Sequence, residues 1–276
     1  MTDAAASTST SWNIPPRSQS GDVPWLDRLI VRRRKAKDIW VARAQEPREK
    51  GLLDMLSEVS QQMHINHVPK LLIYDSKVPN AASSITGNIM LSTNLRDSMT
   101  DDQVKAVMGH ELMHHKKRVR DWLLNTATDM AVFVVGIFAF DKGVKKGFPE
   151  FAAKLRSSKA ASTMTNIVEA GMIFLGLKPL QRWRQRQQEY RSDQAGAEVA
   201  GPVAMIGALD TLENRSKEIS KEKEQQGKKH TRSKKPWFLQ THPTHNKRIA
   251  RIVEDAPKSF ADEYLASHDA LAGAER

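Results

Sequence analysis

The chain of 276 residues contains no cysteine, so disulfide bonds and thiolate metal ligands are both excluded. Any metal site would therefore have to use histidine and carboxylate side chains. No apolar segment follows a basic start at the N-terminus, and we expect no secretory signal peptide. These absences fit a protein that works in the cytoplasm.

Long apolar runs are also scarce. Residues 130–140 and 170–177 are apolar, but each run is shorter than the roughly twenty residues that a membrane-spanning helix needs. Extending the first run toward Trp122 includes Asp129, which is costly at mid-membrane, and the lysine-rich connection 142–159 conflicts with the positive-inside rule. We expect two helices that pack on the domain or lie at a membrane surface.

Acidic residues are too few to balance the basic ones, and the net charge is +11. Basic clusters occupy residues 28–50 and 216–235. Such clusters are common on solvated surfaces, and they also suit nucleic acid or an anionic membrane. Apolar side chains such as Trp25, Ile39 and Trp40 lie among the first cluster and favour a membrane surface over nucleic acid.

The most informative motif is the pentapeptide His-Glu-Leu-Met-His at residues 110–114. A capping box at Thr100–Gln103 and an apolar stripe place it on a helix predicted to run from about 101 to 118. On a helix, His110 and His114 point the same way and can reach one ion. Glu111 lies about 100° round from His110, where a general base would flank the metal.

A zinc hydrolase also needs a third protein ligand on a second rigid element. Glu189 is the best candidate, on a helix that Gly201 and Pro202 would end. Asp193 lies one turn later on the same face and would accept the free ring N–H of a ligand histidine. Taken alone, both acidic residues also fit a solvated helical face.

A third motif lies near the C-terminus, where Pro243 is predicted to open a helix that holds His242 at its mouth and carries Arg248. The order and spacing of the three motifs resemble the M48 family of zinc metallopeptidases, which includes HtpX-like and Ste24-type proteases. An upstream segment around Asn80 and a Gly87-centred turn agree with this resemblance. It covers about residues 50–256.

The resemblance implies an α+β fold: a mostly helical zincin of the gluzincin type, with a small β-sheet above the active-site helix. It also implies one zinc ion per chain. His110, His114 and Glu189 would be the metal ligands, and Glu111 would be the general base and proton shuttle.

Further roles follow from the same resemblance. Asp193 would orient a ligand histidine. His242, supported by Arg248, would stabilise the oxyanion of the tetrahedral intermediate. Asn80 and Ala81 would start an edge strand that binds the substrate backbone by strand addition.

The chain divides into four predicted segments. One short strand is expected at 70–75, and two more are expected within 81–92, on either side of a turn. The segments are a disordered tail (1–21), a basic helical segment (22–66), a metallopeptidase domain (67–256) with a helical insertion (119–182), and a C-terminal tail (257–276).

These features predict a zinc-dependent endopeptidase that acts on unfolded or membrane-associated proteins. Its partners would be protein or peptide substrates and an anionic membrane surface, and nucleic acid is disfavoured. The protein would be cytoplasmic, associated with the inner face of a membrane. One alternative is a protease of the SprT type that acts on DNA-bound proteins. Another is a non-catalytic binding module with the same fold.

Overall fold

The computed structural model describes residues 23–33, 38–84, 86–147, 159–225 and 243–274. Within these ranges the fold is α+β and mostly helical, with one small sheet, as expected. The tail predicted at 1–21 lies outside the described residues. The helices are α1 (Trp25–Arg33), α2 (Pro47–Gln62), α3 (Thr93–Ser98), α4 (Asp101–Gly147), α5 (Lys159–Ala200), α6 (Pro202–Gln225), α7 (His245–Asp255) and α8 (Lys258–Ala274). The strands are β1 (Ile39–Val41), β2 (Leu71–Tyr74), β3 (Ala81–Ser83) and β4 (Ile89–Ser92).

The sheet has the order β1-β2-β4-β3, so β1 and β3 are its edge strands. β2 and β4 are parallel, whereas β1 and β3 run antiparallel to their neighbours. The strands predicted at 70–75 and within 81–92 are confirmed, and the turn between β3 and β4 contains Gly87 with φ +91°.

The segment 22–66 was predicted to be helical throughout, and β1 shows that this was wrong in part. Ile39 pairs with Tyr74, and the Trp40 indole N–H donates a hydrogen bond to Glu49 at 2.8 Å. The three apolar residues of β1 are β-branched or aromatic, and such a short run has no periodicity that separates strand from helix.

Both faces of the sheet are covered, which explains why β2 and β4 are apolar almost without interruption. Leu71, Ile73 and Leu91 face the main core, which they share with α2 and α4. Leu72 and Met90 alternate to the opposite face, where α1 and the residues just before it pack.

Helix α4 begins as predicted but ends much later. Gln103 N–H donates to Thr100 Oγ1 at 3.3 Å, and Thr100 N–H donates back to Gln103 Oε1 at 3.1 Å. The end predicted near residue 118 was wrong, because no proline follows before Gly147 and the helix continues. Its 47 residues correspond to a length of roughly 70 Å.

The distal half of α4 packs against α5 as an antiparallel hairpin whose shared seam is polar. Asp121 accepts a hydrogen bond from Gln188 at 3.1 Å, and Asp129 accepts hydrogen bonds from Gln181 at 2.9 Å and from Arg184. Many large apolar side chains of this half of α4 are nevertheless exposed. They include Trp122, Leu123, Leu124, Met130, Val134, Val135 and Phe138.

The exposure of these side chains contradicts the expectation that the 130–140 run packs on the rest of the domain. The second run, 170–177, has side chains outside the described part of the chain. Among the described residues, no helix combines the length and apolarity that crossing a membrane requires.

Three helix boundaries near the C-terminus also differ from prediction. The sequence predicts a loop in the polar, basic stretch 216–240, but α6 continues into it as far as Gln225. α7 begins at His245 rather than at Pro243. Residues expected as a C-terminal tail form α8, which packs through Phe260 and Tyr264 on the core beside α7. The helix predicted to end near Ala200 does end there, followed by Gly201 with φ +89°.

Candidate metal centre and active site

Three side chains from two helices converge at one point. His110 and His114 project from the same face of α4, and their Nε2 atoms are 3.2 Å apart. Glu189 reaches them from α5, with Oε1 3.5 Å from His114 Nε2. The three ligand atoms all lie within 4.8 Å of one another, and this set could hold a metal ion.

Two of the three separations between these atoms fit a tetrahedral zinc ion. Zn–N and Zn–O bonds of about 2.0–2.1 Å place two tetrahedral ligands about 3.3 Å apart. The observed separations of 3.2 and 3.5 Å agree with that value. Glu189 is buried whereas the His114 side chain is 28% exposed, so the cluster opens to solvent on the histidine side.

Asp193 fixes the orientation of His110. Its Oδ1 lies 2.9 Å from His110 Nδ1, and Arg248 donates to both of its oxygens, from Nε at 2.7 Å and from a second guanidinium nitrogen. Burial alone would raise the pKa of Asp193, but hydrogen bonds from Arg248 and His110 hold that pKa below its ordinary value. An ionised carboxylate only accepts hydrogen bonds, so His110 carries its proton on Nδ1 and directs the Nε2 lone pair into the cluster.

The electrostatics of the cluster favour a cation. Burial acts to lower the pKa of His114, but the hydrogen bond to Glu189 and the charges of Glu111, Glu189 and Asp193 outweigh it and leave that pKa raised. Burial also acts to lower the pKa of Arg248, and Asp193 above all raises it. Three carboxylates therefore surround the point where the ligand atoms meet.

Glu111 lies beside this cluster rather than in it, as the helical periodicity predicted. It is buried, and its Oε2 accepts a hydrogen bond of 2.6 Å from the Ser83 N–H. The edge strand β3 therefore reaches the carboxylate directly. This contact was not predicted, because nothing in the sequence indicates which strand residue meets α4.

The strand also shows which backbone groups are free to meet a ligand. Ser84 N–H donates to the Asn88 carbonyl, and Ser92 N–H donates to the Asn80 carbonyl, so even-numbered positions face β4. The polar backbone groups of Ala81 and Ser83 consequently point away from β4, and among them the Ser83 N–H already donates to Glu111. Of the two residues predicted to bind substrate, Ala81 directs its backbone groups away from the sheet, whereas the main chain of Asn80 bonds to β4.

The remaining predicted residues occupy different positions. His242 lies outside the described residues, so its support by Arg248 stays a prediction. The described contact of Arg248 is with Asp193. His115, which helical periodicity turns off the metal-facing side of α4, does not belong to the cluster, nor does His245, whose Nε2 lies 2.8 Å from Asp210 Oδ1.

Two glycines allow the helices that carry the site to approach closely. A Cβ atom added at Gly196 would lie 2.6 Å from the Ala106 carbonyl oxygen, and one at Gly109 would lie 2.6 Å from Val199 Cγ2. Gly109 precedes His110 directly, so this crossing brings α5 up to the motif. The sequence carried a signal for this contact, namely one glycine beside each metal-binding segment.

Comparison with known proteins decides the family. The sequence profile of peptidase family M48 matches residues 46–256. The chain belongs to peptidase family M48. It is 30% identical over 219 residues to a protein named protease HtpX homolog from Neisseria meningitidis, covering 74% of this chain and 72% of that protein. It is 28% identical over 243 residues to protease HtpX from Alkalilimnicola ehrlichii, covering 83% and 77%.

The chain is also similar to a solved structure, the Ste24p protein of S. mikatae. The TM-score is 0.40 at 15% identity, covering 72% of this chain and 49% of that one. Membership of family M48 and the names of the HtpX relatives support a protease, and they favour this interpretation over one of the SprT type.

Proposed function

We propose that this M48 chain is a zinc-dependent endopeptidase with one metal ion per chain. His110, His114 and Glu189 would hold the zinc ion, and Glu111 would act as the general base. The observation that carries the proposal is the convergence of three ligand atoms from two helices within 4.8 Å of one another, with Asp193 Oδ1 2.9 Å from His110 Nδ1.

A zinc ion in such a site supplies Lewis acidity, which makes water nucleophilic near neutral pH and polarises a peptide carbonyl. Glu111 would take the proton from the attacking water and return it to the leaving amine nitrogen. The hydrogen bond from Ser83 N–H holds one oxygen of Glu111 and fixes the orientation of its carboxylate. Asp193 and Arg248 hold the ring of His110 in place through two successive contacts.

Substrate binding would use the outer edge of β3. The backbone groups of Ala81 and the Ser83 carbonyl face away from β4, and an extended peptide bound there would run past Glu111, which keeps the Ser83 N–H. Binding through the backbone suits unfolded segments of many sequences, because it reads the main chain and not particular side chains. His242 would donate a hydrogen bond to the developing oxyanion.

Cleavage of casein tests this proposal. We expect the purified protein to degrade casein, to lose that activity on removal of zinc with a chelator, and to regain it when zinc is restored. The variant Glu111→Gln should retain zinc and stability but lose nearly all cleavage, since the ligands remain and the proton acceptor does not. Equal cleavage by wild type and Glu111→Gln would refute the role of the base, and zinc binding without any cleavage would favour a binding module.

We further propose that the α4–α5 hairpin meets an anionic membrane surface. The side-chain hydrogen bonds described between its two helices engage Asp121 and Asp129, whereas many large apolar side chains of α4 are exposed. This inverted arrangement is the one expected where the surroundings are apolar. Lys142 and Lys146 lie on the distal end of α4, where they complement anionic headgroups.

Vesicle binding tests this second proposal. We expect the protein to sediment with vesicles that contain anionic lipid and to bind neutral vesicles weakly. The double variant Trp122→Ser/Phe138→Ser and the variant Lys142→Glu/Lys146→Glu should each weaken binding, the second more strongly at low salt. Unchanged binding by both variants would place the membrane contact elsewhere, for example at the basic segment 28–50.

A further inference from the structure

Helix α1 lies outside the part of the chain that matches family M48, yet it packs directly on the sheet. Val23 and Val31 contact the face formed by Leu72, Tyr74 and Met90. Asp27 lies in the middle of this contact and is fully buried. An acidic side chain in an otherwise apolar contact calls for an explanation.

Asp27 is bonded to the turn that joins β3 and β4. Its Oδ2 accepts hydrogen bonds from Thr86 Oγ1 at 2.6 Å and from Asn88 Nδ2 at 2.8 Å. Its Oδ1 is buried without a hydrogen-bond partner in the described part of the chain. Burying a carboxylate so incompletely paired costs free energy, so stability alone does not account for this residue.

Hydrogen bonds within the turn connect the residues bound by Asp27 to the end of the edge strand β3. Thr86 and Asn88 both bond to the Ser84 hydroxyl, at 2.8 and 3.0 Å, and Ser84 N–H donates to the Asn88 carbonyl at 2.8 Å. Ser83, the preceding residue, donates to Glu111. An unbroken series of contacts therefore links α1 to the carboxylate beside the metal cluster.

The turn is held from the other side as well. Arg118 on α4 donates to the Ser84 carbonyl, so the tip of the hairpin lies between α4 and the buried carboxylate of α1. If the hydrogen bonds to Asp27 are lost, the tip is bonded only to α4 and can move away from α1. The edge strand would then shift relative to Glu111 and the metal ligands, which belong to α4 and α5.

We infer that Asp27 is a positioning residue for the edge strand, and that the segment before the family-matched region sets the substrate-binding register. This inference rests on the proposed function, since β3 is there the strand that binds substrate. Asp27 touches neither substrate nor metal ligands. Its removal should therefore act on substrate binding and leave the metal site intact.

Kinetics of Asp27→Ala test the inference. We expect KM for an unfolded substrate to rise about 10-fold, the factor that corresponds to one lost charge-assisted hydrogen bond, with a smaller fall in kcat, because Ser83 then holds the Glu111 carboxylate less firmly. Zinc affinity should not change, because His110, His114 and Glu189 are on other elements. A general loss of folded protein would instead lower kcat and zinc content together. The control is Arg32→Ala, an exposed residue on the same helix, which should leave KM unchanged.

Thr86→Val covers the case in which Asp27→Ala fails to fold. This isosteric variant removes only the hydroxyl that donates to Asp27, at an exposed position of the turn. It should raise KM in the same direction by a smaller factor, and the double variant should be no worse than Asp27→Ala. Unchanged KM in Thr86→Val and Asp27→Ala would overturn the inference.

Amide hydrogen exchange keeps the test separate from the proposed function. The Ser83 amide should exchange slowly in the wild type and about 10-fold faster in both variants, whether or not the protein cleaves casein. An inactive wild type would refute the peptidase proposal alone. Unaltered exchange at Ser83 in both variants would refute the positioning role, whatever the activity.

Discussion

The contact of Gly196 with α4 makes a prediction about both stability and metal binding. In Gly196→Ala the new methyl group would lie 2.6 Å from the Ala106 carbonyl oxygen and 2.7 Å from Met205 Sδ. Ordinary carbon contacts begin near 3.4 Å. The thioether is flexible and can turn aside, but the carbonyl belongs to a helix backbone. The two helices must therefore separate by several tenths of an ångström.

The size of the effect follows from two opposed contributions. Overpacking a core typically costs about 1–3 kcal/mol, while alanine is favoured over glycine in a helix by about 1 kcal/mol. We expect Gly196→Ala to lower the free energy of unfolding by up to about 2 kcal/mol. The separation also moves Glu189 and Asp193 away from His110, so zinc affinity should fall about 10-fold, in the range seen when partners of a metal ligand are disturbed.

Gly51→Ala is the matched control. It lies in α2 at an exposed position, and no atom lies within 4 Å of the added Cβ. This variant should gain about 1 kcal/mol from helix propensity and should bind zinc as the wild type does. Thermal unfolding and competitive zinc titration measure both quantities. If Gly196→Ala is as stable as Gly51→Ala and binds zinc equally well, the close crossing does not position the site.

Three substitutions test individual side chains. Glu189→Ala should weaken zinc binding by at least about 10-fold, whereas Glu198→Ala, on an exposed position of the same helix, should not; equal affinities would place the third ligand elsewhere. Arg248→Ala leaves a buried Asp193 carboxylate without its main cation and should lower the free energy of unfolding by about 3–5 kcal/mol. The exposed Arg251→Ala should lower it by at most about 1 kcal/mol, and chemical denaturation measures both. His242→Ala should lower kcat by about 10²–10³ with little change in KM, while His245→Ala should not; a raised KM at constant kcat would make His242 a substrate-binding residue instead.

The sequence predicted which side chains share a helix face because helical periodicity turns spacing into direction, while the set of three metal ligands came from the resemblance to family M48 and stays a prediction. His110 and His114 are one turn apart, as are Glu189 and Asp193, so each pair shares a face whatever the rest of the fold does. The capping box at Thr100 and the glycine after Ala200 likewise depend on neighbouring residues alone. Local rules were sufficient for these features.

Contacts between distant segments were not predictable in this way. The hydrogen bond from Ser83 to Glu111 depends on how β3 lies across α4, and the bond from Arg248 to Asp193 depends on how α7 meets α5. The end of α4 was misjudged because basic residues near 118 favour a helix terminus without enforcing one. β1 was missed because its pairing with β2 is decided by a partner more than thirty residues away.

Titration of the metal-free protein with zinc, with binding and casein cleavage followed in the same samples, tests the central claim most directly. The account predicts that one zinc ion binds per chain, that activity rises in proportion to occupancy, and that Glu111→Gln binds the same single ion without becoming active. Cleavage by the fully metal-free protein, or activity unrelated to zinc occupancy, would contradict it.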